Sequence, residues 1–95
     1  MMKVEFYYPT EYLSAAEALR FNASVDGELI SCVVSVEQLY HLLGTFYRKG
    51  EVDAVETFNR HRADVEQQAC DQLSRQGIPP VNRAGRRELH IAIAP

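Results

Sequence analysis

Three histidines (His41, His61, His90) and two cysteines (Cys32, Cys70) are the residues with which this chain could hold a metal or run thiol chemistry. None falls into CxxC, HxH or HExxH spacing, the patterns that bring ligands together on one turn or one helix face. His61 and Cys70 share a helical stretch but point about 180° apart on a helix that turns roughly 100° per residue. His41 falls on the polar side of its own helix. The expectation is therefore no metal and no cofactor. Cys32 with His61 is the one arrangement resembling a nucleophile and its base, provided the helix carrying the histidine covers the strand carrying the cysteine. A reactive thiol needs a partly exposed, electropositive setting. Cys32 instead lies between Ile30 and Val34 and opposite Phe21, a place for a small buried hydrophobe. A GxSxG elbow is also missing, and the reading is a protein that is not an enzyme.

Phosphate chemistry has as little support. The five glycines form neither GxGxxG nor GxxxxGK. Gly50 precedes a helix start, but Glu51 and Asp53 already occupy the place an anion would take, and Arg48-Lys49 reads as solvated loop charge. Positive charge gathers only near the end, where Arg83, Arg86 and Arg87, with His90 beyond, leave residues 77–95 with three basic residues against one acidic. That loop is the candidate contact for nucleic acid, the alternative function. Against it stand the net charge of −3 and the acidic stretch 51–76, with six acids to three bases, which repels a duplex. No RNP-type aromatic pattern is present, although Tyr7, Tyr8 and Tyr12 are rings on which bases could stack.

Arg62 is the oddest residue. It falls about 40° from Phe58, inside the apolar sector of a helix, where a guanidinium must snorkel, pair with a carboxylate or meet a ligand. Glu66, one turn on, is its expected partner. The sharper reading makes Asn59-Arg60-His61-Arg62 a recognition edge for an acidic partner or a small anion.

The elements that position these residues can be read from pattern. Ninety-five residues, 46% hydrophobic and 24% charged, make one soluble globular domain. No apolar run approaches the ~20 residues of a membrane helix, and the start lacks a signal-peptide core, so the expected compartment is the cytoplasm. Two cysteines do not make a secreted disulfide framework. Lys3–Tyr8 alternates and reads as a strand ended by Pro9, followed by a connector from Thr10 to Glu17. Ala18–Val25 and Glu28–Ser35, joined by Asp26-Gly27, form a two-residue type I′ hairpin that pairs Val25 with Glu28, Ala23 with Ile30, Phe21 with Cys32 and Leu19 with Val34. Leu19, Phe21, Ala23, Ile30, Cys32 and Val34 give one apolar face, with Arg20, Asn22, Ser24, Leu29, Ser31 and Val33 on the other.

Ser35-Val36-Glu37-Gln38 is a capping box for a helix whose stripe is Val36, Leu39, Tyr40 and Leu43, stopped at Gly44. A long helix, about Glu51 to Gln76, carries Val55, Phe58, Val65, Ala69 and Leu73 on one side, with Glu56→Arg60 and Asp71→Arg75 as surface pairs. Gly77-Ile78-Pro79-Pro80 ends it. After a basic loop, Val81–Arg86, the last strand is Arg87–Ala94, with Leu89, Ile91 and Ile93 facing inward. The order β-β-β-α-α-β predicts an α+β two-layer sandwich: an antiparallel sheet of N-terminal strand, hairpin and C-terminal strand, with two helices on one face. If the last strand joins the hairpin, Arg20, Asn22, Ser24, Ser31, Val33 and His90 share the outer face, a surface suited to dimers or partner docking.

The stretch Ala18-Leu19-Arg20-Phe21-Asn22-Ala23-Ser24-Val25-Asp26-Gly27, continued by Ile30-Ser31-Cys32-Val33-Val34-Ser35, resembles a bacterial family of small proteins, domain of unknown function 1488. The likeness resumes at Phe58-Asn59-Arg60-His61-Arg62 and runs along Val65-Glu66-Gln67-Gln68-Ala69, covering roughly the middle half of the chain. It implies a short α+β domain with an antiparallel sheet and two helices. It brings no activity, substrate or cofactor, and so no catalytic residue. His61 and Arg62 match the family's pattern, whereas the tyrosine-rich N-terminus and the Pro79–Arg86 loop depart from it. The function expected is a non-enzymatic interaction or regulatory module, with a protein partner or a second copy of itself, no membrane, and His61, Arg62, Arg83, Arg86 and Arg87 as candidate binding residues.

Overall fold

The computed structural model describes residues 2–42 and 50–92. The first strand, β1 (Val4–Leu13), does not end at Pro9 as expected. It sits at the edge of the sheet, where proline is tolerated at a bulge. The Tyr8–Pro9 peptide is cis, and pairing with the next strand shifts register between Tyr7 and Glu11, so the ring falls in a stretch where the ladder is already interrupted. The connector shrinks accordingly to residues 14–17.

Strands β2 (Ala18–Val25) and β3 (Glu28–Ser35) form the hairpin in the predicted register throughout. Asp26 and Gly27 hold φ of 50° and 89°, the two positive values a type I′ turn demands. The turn is also tied to β1: Lys3 N–H donates to Asp26 Oδ1 (2.9 Å) and Asp26 N–H to the Lys3 carbonyl (3.0 Å). Leu19, Phe21, Ala23, Ile30, Cys32 and Val34 are all buried on one face.

Helix α1 (Val36–Leu42) starts where Ser35 Oγ accepts from the Gln38 N–H at 3.0 Å, the serine half of the capping box. Leu43, the stop at Gly44 and Arg48-Lys49 lie outside the described residues.

The long helix is two helices, α2 (Glu51–Arg60) and α3 (Arg62–Gln76), broken at His61. His61 has φ −117° and ψ 28°; its N–H is shared between the Thr57 and Phe58 carbonyls, while its own carbonyl accepts from Asp64 and Val65. It therefore closes one helix and opens the next. Neither Pro nor Gly marks the step. Phe58, Val65, Ala69 and Leu73 are still fully buried on both sides of it, with Ala54, so the break does not cost the rod its apolar face. Of the expected surface pairs, Asp71 accepts instead from Gln67 (2.9 Å).

Gly77 (φ 79°) caps α3 with an N–H to the Leu73 carbonyl. The last strand, β4, is only Glu88–His90, and it pairs with β3 in parallel, Cys32 against Leu89. The sheet is thus mixed rather than wholly antiparallel, in the order β1-β2-β3-β4. The cause is topological: between β3 and β4 the chain crosses over through helices, and such a crossover returns it to the end of the sheet from which β3 began. With the broken helix counted as one, the order is β-β-β-α-α-β. Leu89 and Ile91 face inward as expected; Ile93 and Ala94 lie outside the described residues. The helices press on the hairpin face, Phe21 and Phe58 meeting at 5.2 Å between ring centroids. Each such fully buried side chain contributes about 1.5–3 kcal/mol.

Candidate functional site

One face of the sheet is covered by helices; the other is open. Across it lie Glu11–Arg20–Val33–His90 and Tyr7–Asn22–Ser31–Glu88, rows set by the strand register. The segment 81–87 folds back at its rim and, with the sheet as floor, bounds a groove of about 560 Å³. Asn82 builds that rim. Its Oδ1 accepts from the Ala84 and Arg86 N–H groups (3.0 and 3.1 Å) and its Nδ2 donates to Glu88 Oε1 (2.6 Å). Gly85, at φ 77°, donates to the Asn82 carbonyl, and Val81 bridges Arg87.

Three arginines converge on this groove with unequal freedom. Arg20 donates through Nη2 to both oxygens of Glu11 (3.1 and 3.0 Å). Arg87 donates to the Pro79 carbonyl (2.7 Å) and stands 3.6 Å from Glu28. Arg86 is exposed and forms no ion pair among the described residues. Leu29, 66% exposed, and Val81 add apolar surface. Arg83 is exposed on the turn but does not line the groove. The predicted basic loop is therefore split: one tethered arginine, one free beside the groove and one free outside it.

His61 and Arg62 lie elsewhere, at the step between α2 and α3, with Arg62 against β1. The expected Arg62–Glu66 pair does not form. Glu66 accepts a short hydrogen bond from the Tyr8 hydroxyl, and the Arg62 guanidinium lies over the Tyr8 ring, 3.9 Å from its centroid, with Nη2 donating to Asn59. Tyr8 comes between the two because its ring sits against Phe21 and Phe58, directly beneath α3. Burial, then the hydrogen bond to Glu66, push its hydroxyl pKa well above the ordinary tyrosine range. His61 stands 3.8 Å from Asp64, at the helix step. Arg62 fastens helix to strand through the Tyr8 ring, whereas the described contact of the His61 side chain is with its own helix.

Cys32 is sealed. Burial, with a smaller contribution from Cys70, pushes its thiol up to about 12, which keeps it protonated and poorly nucleophilic at neutral pH. His61 is not among the groups acting on it. Burial also raises Cys70, ahead of Asp71 and Glu66. Among the described residues no three of His, Cys, Asp and Glu gather as a metal would require. No helix there is long and apolar enough to cross a membrane.

The model of the family described as protein of unknown function DUF1488 matches residues 4–80. The chain belongs to this family. A crystal structure of a DUF1488 protein of unknown function from Shewanella loihica PV-4 is 21% identical, covers 90% of both chains and superposes with a TM-score of 0.69, which carries the fold alone. No curated protein matches.

The DUF1488 match takes in the tyrosine-rich β1, which sequence reading placed outside the likeness, and stops before the turn that walls the groove. Arg83, Arg86 and Arg87 therefore belong to a part of this chain beyond the family match. Sequence reading missed Tyr8 as the partner of Arg62, Glu28 as the tether of Arg87, and Gln72. Gln72 is only 5% exposed; its Nε2 donates to the His90 carbonyl (2.8 Å) and its Oε1 accepts from the Ala92 N–H (3.0 Å). A helical angle could have found Gln72, which falls about 40° from Phe58 and about 20° from Val65, at the flank of the buried side. No sequence signal pointed to Tyr8.

Proposed function

We propose that the protein is a non-enzymatic interaction module of the bacterial cytoplasm, and that the groove on the open sheet face receives a carboxylate-bearing segment of a protein partner. The observation that carries this reading is the unequal state of the three groove arginines. Arg20 and Arg87 are neutralised and fixed by Glu11 and Glu28, whereas Arg86 faces the same groove with no acid of its own. A guanidinium fork without an acid of its own is a good receptor for a carboxylate, and exposed Leu29 and Val81 supply apolar contact beside it. The sealed thiol supports a role without covalent chemistry. Both cysteines are free, which suits a reducing compartment.

Nucleic acid is the weaker reading. Arg87 is tethered, leaving Arg83 and Arg86 as free cations on the turn, and two phosphate contacts add little affinity at physiological salt. A photo-crosslinking amino acid placed at Leu29, and separately at Glu56 on the exposed side of α2, tests the proposal in cells. Protein adducts from position 29 that disappear with Arg86→Glu are expected. Equal adducts from both positions, or adducts indifferent to Arg86→Glu, overturn the reading. Binding of labelled DNA or RNA at moderate salt replaces it with the nucleic-acid alternative.

A further inference from the structure

The two ends of the hairpin fix which way every backbone group of β1 points. The Asp26-Gly27 turn closes on a hydrogen-bonded pair, Val25 with Glu28. Val25, Ala23, Phe21 and Leu19 therefore direct their N–H and C=O groups at β3, while Ser24 and Asn22 direct theirs at β1. Glu5 and Tyr7 meet Ser24 and Asn22. By alternation the backbone groups of Val4, Phe6 and Tyr8 point away from the sheet, at an edge that no described strand occupies. The side chains of these residues form, with Met2, a row of partly buried apolar groups packed against the core. Open backbone groups and a half-covered apolar flank thus coincide on one five-residue stretch, Val4–Tyr8.

That stretch complements itself. We propose that a second copy of this chain adds its β1 antiparallel across this edge, about a two-fold axis at Phe6, joining two four-stranded sheets into one continuous sheet. Only this register takes all three outward residues, Phe6 opposite Phe6 and Val4 opposite Tyr8 of the other copy. It extends the aromatic row in which Phe6 already meets Phe21 at 5.9 Å. On the exposed face it sets Tyr7 across from Glu5 of the other copy, the same two groups that already hydrogen-bond within one strand at 3.2 Å. An axis at Glu5 would place two carboxylates directly opposite, which destabilises; an axis at Val4 would leave Tyr8 unmatched. The interface is isologous, so it closes at two copies. Pro9 and the register shift beyond it stop the pairing from running on along the strand.

Light scattering over a concentration series is the first readout, with twice the 10.8 kDa chain mass expected at high concentration. Val4→Pro removes an N–H that points outward and has no partner among the described residues. It should keep the circular dichroism spectrum of the fold and weaken dimerisation at least about tenfold, because the two-fold axis makes each dimer lose two charge-neutral hydrogen bonds, one from each copy. Register is read by disulfide trapping with Cys70 replaced by Ala. Positions 5 and 7 of opposite copies form a non-hydrogen-bonded pair, with Cα atoms about 4.5 Å apart, close enough to bridge. Glu5→Cys chains mixed with Tyr7→Cys chains should cross-link severalfold faster than either chain alone. A monomer at every concentration overturns the proposal. So does a dimer that survives Val4→Pro, or one in which Glu5→Cys alone links fastest. None of these outcomes bears on the groove, which lies on the open sheet face.

Discussion

Helix α3 reaches both edges of the sheet and fastens them in different ways. At β1 it holds side chains: Glu66 takes the Tyr8 hydroxyl and Arg62 covers the ring. At β4 it holds the backbone itself. The Gln72 carboxamide pairs with the His90 carbonyl and the Ala92 N–H, two of the groups an added strand would take, since Leu89 and Ile91 turn theirs toward β3, where Ile91 N–H meets the Val33 carbonyl. A glutamine amide has the same donor and acceptor as a peptide unit, so one side chain substitutes for a strand. Both edges are anchored, but only one is closed. An edge is blocked by occupying its backbone groups; anchoring its side chains fixes its position and leaves the ladder open.

Raising the pH gives the largest effect and separates the edges. The Cys32 thiol, beneath the central strands, keeps its proton to about 12 in the folded chain, against an ordinary value near 9 once unfolded. Between those values the unfolded state binds fewer protons, so stability falls as pH rises, by up to roughly 1.4 kcal/mol per pH unit. Tyr8, also raised, adds loss of the same sign at β1, whereas Gln72 has no proton to lose. Thermal melts from about pH 8 upward should show this slope. It should shrink in Cys32→Ala, shrink again with Tyr8→Phe added, and stay unchanged in Gln72→Leu. A flat wild-type profile would mean that the thiol is not sealed.

Gln72→Leu comes next. It leaves a carbonyl and an N–H at the β4 edge without their partner, at about 1–3 kcal/mol. Denaturant unfolding should show that loss, and hydrogen exchange should show early opening of the Ala92 amide. If both stay at wild-type values, the carboxamide is not what closes this edge.

How much of this was legible in the sequence follows from how local each cause is. The hairpin was readable to the residue because Asp26-Gly27 fixes the turn and alternation fixes the face. Cys32 was readable as buried because it lies inside that pattern. What failed depends on pairs distant in sequence. Pro9 looked like a strand end, since nothing near it says that β1 is an edge where proline is tolerated. His61 looked like mid-helix, since helix-forming residues flank it and neither Pro nor Gly marks the break. Arg62 looked paired with Glu66 one turn away, and only the arrival of Tyr8 from fifty-eight residues before Glu66 divides them. The groove is the same case, because Glu28 tethers Arg87 across the whole helical crossover.

Smaller still is the coupling at the β1 anchor. Tyr8→Phe removes a hydrogen bond to a carboxylate, worth about 1.5–3 kcal/mol at a buried site and less at this partly exposed one. Arg62→Ala removes a cation stacked on a ring, about 0.5–1 kcal/mol at an exposed site and about 2 when desolvated. The contrast between the edges turns on whether these act as one device. The arginine stacks on the ring and the glutamate takes the hydroxyl, so Tyr8→Phe leaves the stacking in place. The double variant should then lose close to the sum of the two single losses, within about 0.5 kcal/mol. Tyr8→Ala, which removes ring and hydroxyl together, should couple strongly to Arg62→Ala, because the cation has nothing left to cover. Additivity with Tyr8→Ala as well would mean that Arg62 is held by Asn59 alone. The β1 edge would then rest on the Tyr8–Glu66 bond, with one polar anchor to set against the two that Gln72 supplies at β4.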